Sequence, residues 1–153
     1  MTTRFRPVLA ALTLTLVAGF ITLNAFADDA AAGPSLYERL GAMEGIGHIV
    51  NDTIALHHKN PLIAHYFESG DDERLAHHVV AFFAAGTGGP ANYEGRDMTT
   101  AHASMHITDA EYDSAVRDVL TAVESNGVDP ESKAEVAAIL ESLRAAVMGK
   151  TES

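Results

Sequence analysis

The residues with the most chemistry in this chain sit in one short stretch, Arg96-Asp97-Met98-Thr99-Thr100-Ala101-His102-Ala103-Ser104-Met105-His106-Ile107. Its spacing predicts a short helix carrying His102, with Met98, Ala101 and Met105 around the same face. An imidazole on a soft apolar face has two uses. It packs as a core histidine satisfied by a backbone carbonyl, or it ligates a metal through a free ring nitrogen. His102 and His106 also have the spacing of two metal ligands on one helix face. No His-Glu-x-x-His and no third ligand accompany them, so the spacing argues only weakly for zinc. His106 reads better as a solvent-side residue at a helix C-terminus, where positive charge is welcome.

The other histidines fall in two groups. The chain has 8 His and no Cys. His48, His57, His58 and His65 cluster around a predicted second helix, and His77 and His78 sit on a third. Adjacent helical residues point about 100° apart. His78 therefore shares the arc of Leu75, Val79 and Phe82, while His77 falls outside it. A core-facing His78 needs a carbonyl or a bound group as partner. One of His57 and His58, at the end of the second helix, can face inward, but a surface or C-cap role is the favoured reading of both. No Ser-His-Asp or Cys-His arrangement points to a nucleophile. Gly86-Thr87-Gly88-Gly89-Pro90 is a breaker cluster, with neither the strand nor the Lys-Ser/Thr that phosphate cradling needs.

The elements that position these side chains are all helical. Ser35-Leu36-Tyr37-Glu38 is a capping box for a short first helix ended by Gly41. Ile46, Ile49, Val50, Thr53, Ile54 and Leu56 form the stripe of a second helix over about 44–59, stopped by Asn60-Pro61. A short helical turn from Pro61 ends in Tyr66-Phe67. Gly70-Asp71-Asp72 breaks and caps, and a third helix runs over about 73–85 on Leu75, Val79, Phe82 and Phe83. Thr108-Asp109-Ala110-Glu111 is a second capping box, opening a helix closed by Asn126-Gly127. Asp129-Pro130 starts the last helix, whose stripe is Val136, Ile139, Leu140, Leu143 and Val147. With no strand pattern, the fold class is all-α.

Composition bounds the rest. A chain of 153 residues with 47% hydrophobic residues supports one domain with a real core. A formal net charge of −11 repels nucleic acid and anionic membrane surfaces. Residues 1–27 read as an export signal: Arg4 and Arg6, an apolar run from Val8 to Leu23, then Ala25-Phe26-Ala27 as a cleavage site. The expected product is periplasmic or secreted, with no stable membrane contact after cleavage. An uncleaved anchor facing the periplasm is the competing reading, although the run is short for a span. Residues 28–34 form a polar lead-in, 35–148 the domain and 149–153 a polar tail.

Taken in order and spacing, these segments resemble the group I truncated haemoglobins, from Ser35 to Val147. The markers are Ser35-Leu36-Tyr37-Glu38-Arg39-Leu40-Gly41, Tyr66-Phe67, Phe82-Phe83, Gly88-Gly89-Pro90, Tyr93-Glu94-Gly95-Arg96-Asp97-Met98 and Ala101-His102. The Ile107-Thr108-Asp109 helix start and the Gly127-Val128 break fit the same order. The resemblance implies a globin-like two-over-two helical sandwich around a b-type haem. His102 is then the proximal iron ligand, and Phe67 packs on the haem. Leu75, His78, Val79, Phe82, Tyr93 and Met98 line the pocket, and Arg96 pairs with a propionate. Lacking Cys, the chain cannot hold haem through thioether bonds.

The distal side departs from the family. Ile54, preceded by Thr53, stands where many members place a Tyr that donates to oxygen. Leu75 and Val79 stand where Gln is frequent. An apolar pocket holds the partial negative charge of dioxygen poorly. His78 occupies the position at which some members supply a second axial histidine, with His77 as the alternative in a shifted register. Two functions follow from the resemblance. One is reversible binding of a diatomic gas (oxygen, nitric oxide or carbon monoxide). The other is a six-coordinate bis-histidine haem for electron transfer or scavenging of nitric oxide or peroxide. Enzymatic turnover, as a nitric oxide dioxygenase or peroxidase, would need an external reductase, since the chain has no flavin or nicotinamide fingerprint.

Overall fold

The computed structural model describes residues 33–68, 70–90 and 92–149. The expected export segment, most of the lead-in and all but the first residue of the tail lie outside them. Among the described residues there are six α-helices and no strand. They are α1 (Leu36–Arg39), α2 (Ala42–Lys59), α3 (Asp72–Gly86), α4 (Met98–His102), α5 (Asp109–Ser125) and α6 (Pro130–Val147), with a 3-10 turn at Ala64–Tyr66 between α2 and α3. None of these helices is long and apolar enough to cross a membrane.

Local chemistry sets the ends. Both predicted capping boxes are complete: Ser35 with Glu38 on α1 and Thr108 with Glu111 on α5. Gly41 turns the chain at φ 84°, and α2 begins at once at Ala42 rather than at Glu44. A Cβ on Gly45 would come within 2.2 Å of the Leu40 carbonyl oxygen, so only glycine lets this corner close. Asn60, before Pro61, is extended at ψ 110° and stops α2. Gly127, at φ 75°, ends α5 in a Schellman arrangement. The Val128 N–H reaches the Val123 carbonyl and the Gly127 N–H that of Glu124. Asp129 caps α6 through the N–H groups of Glu131 and Ser132.

α2 is the central helix. Ile46, Ile49, Val50 and Ile54 are buried on one side of it, and each such side chain removed from water is worth about 1.5–3 kcal/mol. It packs against α3 and α5, while α6 packs against α5 and α4. The two pairs α2–α3 and α5–α6 make the expected two-over-two sandwich. α1 straps across it: the Tyr37 N–H bonds the Thr87 carbonyl at 2.9 Å, and Arg39 reaches Ser132 and Glu135 of α6 at 2.6 and 2.7 Å. Tyr112 of α5 donates its hydroxyl proton to the Leu140 carbonyl of α6.

Candidate functional site

α4 is one turn and a half long and exists because Asp97 caps it. The Asp97 carboxylate accepts the Thr100 N–H at 2.8 Å and the Thr100 hydroxyl at 2.7 Å. The same two bonds hold its carboxyl below the usual range, the backbone one first. His102 is the last residue of the helix and half-buried. Its Nδ1 lies 2.8 Å from the Met98 carbonyl oxygen. A carbonyl only accepts, so Nδ1 carries the proton and Nε2 keeps its lone pair. One ring nitrogen is thus satisfied by backbone, and the other is bonded to none of the described residues.

His106 does not share a helix face with His102. α4 stops at His102, and His106 stands four residues further on in left-handed backbone at φ 51°, exposed. The expectation of a helix C-terminus at His106 fails for this reason, and so does the two-ligand zinc reading. Among the described residues no group of three His, Cys, Asp or Glu is placed to hold a metal ion. The Met105 carbonyl before it accepts the Tyr66 hydroxyl at 3.1 Å, which ties the 3-10 turn to the chain that leaves His102.

The predicted lining divides by environment. Leu75 and Val79 are half-buried and pack against the core from α3. Phe82 meets Tyr93 edge-on, with ring centroids 5.2 Å apart. The Tyr93 hydroxyl donates to the Arg96 carbonyl at 2.8 Å. Gly95 leaves room for that ring, since a Cβ there would sit 2.3 Å from the tyrosine and push it aside. Met98 is half-buried. The Arg96 guanidinium is exposed and bonded to none of the described residues. His78 is exposed, its ring 5.9 Å from that of His77, with no hydrogen bond or ion pair to a described residue. His77 is exposed as well.

His57 is buried rather than at the surface or capping α2, because its Nδ1 bonds Asp118 of α5 at 3.0 Å. Burial pushes its pKa down, against the opposing pull of the carboxylate. The i, i+4 series from Ile49 and Thr53 runs on to His57 and could have shown this. His58 is exposed as expected, with its Nε2 held at 2.8 Å by Asp72 of α3. Phe67 lies between them, 5.0 Å from the His57 ring and 5.9 Å from that of His58. The Thr53 hydroxyl is spent on the Ile49 carbonyl at 2.8 Å, so beside Ile54 it has no proton to offer elsewhere. A cavity of about 470 Å³ opens between α2 and α3 and touches Ile54, His58, Asp72 and Ala76, but none of the expected lining residues.

The donor set tests what could fit here. An imidazole with one ring nitrogen bonded to backbone and the other open suits a borderline metal held in a flat macrocycle. The two-over-two sandwich is the arrangement of a globin. Residues 35–149 match the model of the bacterial-like globins. A group 1 truncated haemoglobin of Synechocystis is 30% identical over 109 residues, covering 69% of this chain and 88% of the relative. The truncated haemoglobin of Tetrahymena pyriformis in its Fe(III) form has the same fold, at a TM-score of 0.72 and 23% identity over 75% of this chain and 98% of that one. The 2/2 haemoglobin of Synechococcus, solved with covalently attached haem, gives a TM-score of 0.71 at 22% identity over 76% and 99%. The chain belongs to the bacterial-like globin family, on the branch of the group 1 truncated haemoglobins.

Proposed function

We propose that this protein holds a b-type haem, not attached through Cys, by His102 Nε2 and reversibly binds a diatomic gas outside the cytoplasm. The observation that carries the reading is His102 itself, with one ring nitrogen fixed by the Met98 carbonyl and the other free. When bound, the haem iron would supply a centre at which oxygen, nitric oxide or carbon monoxide coordinates reversibly. The Met98 carbonyl fixes the tautomer and orientation of the ligand imidazole and raises its basicity. Leu75, Val79, Phe82, Tyr93 and Met98 exclude water from the site, and Phe67 packs on the macrocycle. Arg96, free among the described residues, pairs with a propionate. The absence of Cys rules out attachment through Cys thioether bonds.

On the distal side Ile54 is apolar and Thr53 has spent its proton, so neither offers oxygen a donor. That favours carbon monoxide or nitric oxide over tightly held oxygen. A second reading rests on His78, which shares an arc with Leu75 and Val79 and has no partner of its own. As a second axial ligand it would move the function towards electron transfer or scavenging, with a separate reductase as partner. Export follows from the Arg4–Ala27 pattern, and a retained anchor would place the same domain at the outer face of the membrane.

One spectrum decides between the two readings. The haem-loaded, dithionite-reduced protein is compared with His78→Ala, without added ligand. Split α and β bands that collapse to one broad band in the variant make His78 the sixth ligand. A broad five-coordinate spectrum in both removes that reading. His102→Gly should lose the Soret band of bound haem and regain it with added imidazole. A Soret band unchanged in His102→Gly would overturn the assignment of His102.

A further inference from the structure

His57 is buried and polar, and nothing proposed so far uses it. A buried imidazole bonded to a carboxylate is no more stabilising than a well-packed apolar pair, so its presence asks for another reason. Asp118 Oδ2 takes a bond from His57 Nδ1 at 3.0 Å and from Asn60 Nδ2 at 2.7 Å, and Asn60 Nδ2 also reaches Ser114 Oγ at 2.8 Å. Asn60 then shapes the turn that follows. Its Oδ1 accepts the Leu62 N–H at 3.1 Å, and its carbonyl accepts the N–H groups of Ile63 and Ala64 at 3.1 and 2.8 Å. That turn delivers Phe67, whose ring lies over His57 at 5.0 Å and 31°. An imidazole free of Asp118 can turn about its last side-chain bond, whereas the carboxylate selects one setting of the plane. The ring of Phe67 therefore rests on a surface whose orientation is fixed from α5.

We infer that His57 is a positioning residue for the haem seat: locked by Asp118, it sets the attitude of the Phe67 ring that packs against the haem. This rests on the role of Phe67 proposed above. The lock works through geometry, so an acceptor at 118 suffices whether or not it is charged. Removing the imidazole, or its acceptor, lets the Phe67 ring tilt and loosens the haem without touching iron or His102.

The test is the rate of haem transfer from the fully loaded protein to an excess of apomyoglobin. The variants are His57→Asn, Asp118→Asn, Phe67→Leu and the double His57→Asn/Phe67→Leu. Asn at 57 keeps a donor near the position of Nδ1 but has no ring. Asn at 118 keeps the acceptor. Haem loss should quicken roughly tenfold in His57→Asn and in Phe67→Leu, and stay within about twofold of wild type in Asp118→Asn. The double variant should be no more than about twofold faster than Phe67→Leu, because both changes act through one ring. Haem-methyl hyperfine shifts of the ferric cyanide form should move in His57→Asn and not in Asp118→Asn. Should His57→Asn not fold, His57→Phe, which keeps a ring and drops the bond, takes its place with the same expectation. Additive effects in the double variant, or wild-type haem loss in His57→Asn beside fast loss in Phe67→Leu, overturn the role of His57 alone. Wild-type haem loss in Phe67→Leu overturns the placement of Phe67 and the inference with it.

Discussion

At the scale of single residues, what this site lacks is as informative as what it holds. Ile54 is buried on α2 with the committed hydroxyl of Thr53 beside it. Ile54→Tyr would restore a donor. A hydrogen bond to a partly charged acceptor is worth about 1.5–3 kcal/mol, so oxygen release should slow by roughly 10- to 100-fold. The larger ring costs about 1–3 kcal/mol of stability through overpacking. Stopped-flow oxygen dissociation beside a urea titration measures both, and an unchanged release rate would show that position 54 does not face the gas. The short helix carrying His102 was legible in the sequence, with Met98 one turn before it. His57 was legible only in part: the i, i+4 series from Ile49 and Thr53 reaches it, but a histidine three residues before Asn60 also reads as a helix end in water. The partner that buries it, Asp118, is 61 residues away and belongs to another helix. Sequence spacing reports neighbours on one helix and is silent about a bond between two.

At the scale of elements, the weak member is α4. Isolated helices of its length do not persist in water, so Met98–His102 depends on its cap and on packing against α6. Asp97→Ala should release the Thr100 N–H, fray the helix and speed haem loss a few-fold, whereas Asp97→Ser keeps an acceptor and should stay near wild type. Equal haem loss in the two variants would show that the cap does not hold His102. The carboxyl of Asp97 is held below its ordinary value of 3.8 by the bonds to Thr100. Its contribution is therefore present above that value and is lost as pH falls through the lower folded one. Haem release below about pH 4 should accordingly be steeper in wild type than in Asp97→Ala. The caps were the most legible part of the fold. Ser35, Asp71, Thr108 and Asp129 act at helix starts through local bonds that sequence spacing encodes. The end of α4 was less so. Nothing between His102 and Ile107 breaks a helix by composition, and the chain leaves it through the left-handed His106 and the bond from Tyr66 to Met105.

At the scale of the whole molecule, acid acts in two opposing ways. The chain carries a formal net charge of −11 near neutrality, and lowering the pH first relieves that repulsion. Burial of His57 works against this relief. Its folded pKa is lowered from the ordinary 6.5, with desolvation outweighing the bond and charge of Asp118. The unfolded chain then takes up the proton first. Stability is fully present above the ordinary histidine value and is lost as pH falls from there through the lower folded one. The net-charge term is nearly common to wild type and His57→Phe, so their difference isolates the histidine. Urea unfolding of both proteins between about pH 8 and 5 should show the advantage of wild type shrinking as the pH drops below its ordinary histidine value. A difference that is flat across this range would mean that His57 exchanges its proton equally in both states. The imidazole would then be held by packing and the Asp118 bond, with no penalty for its charge.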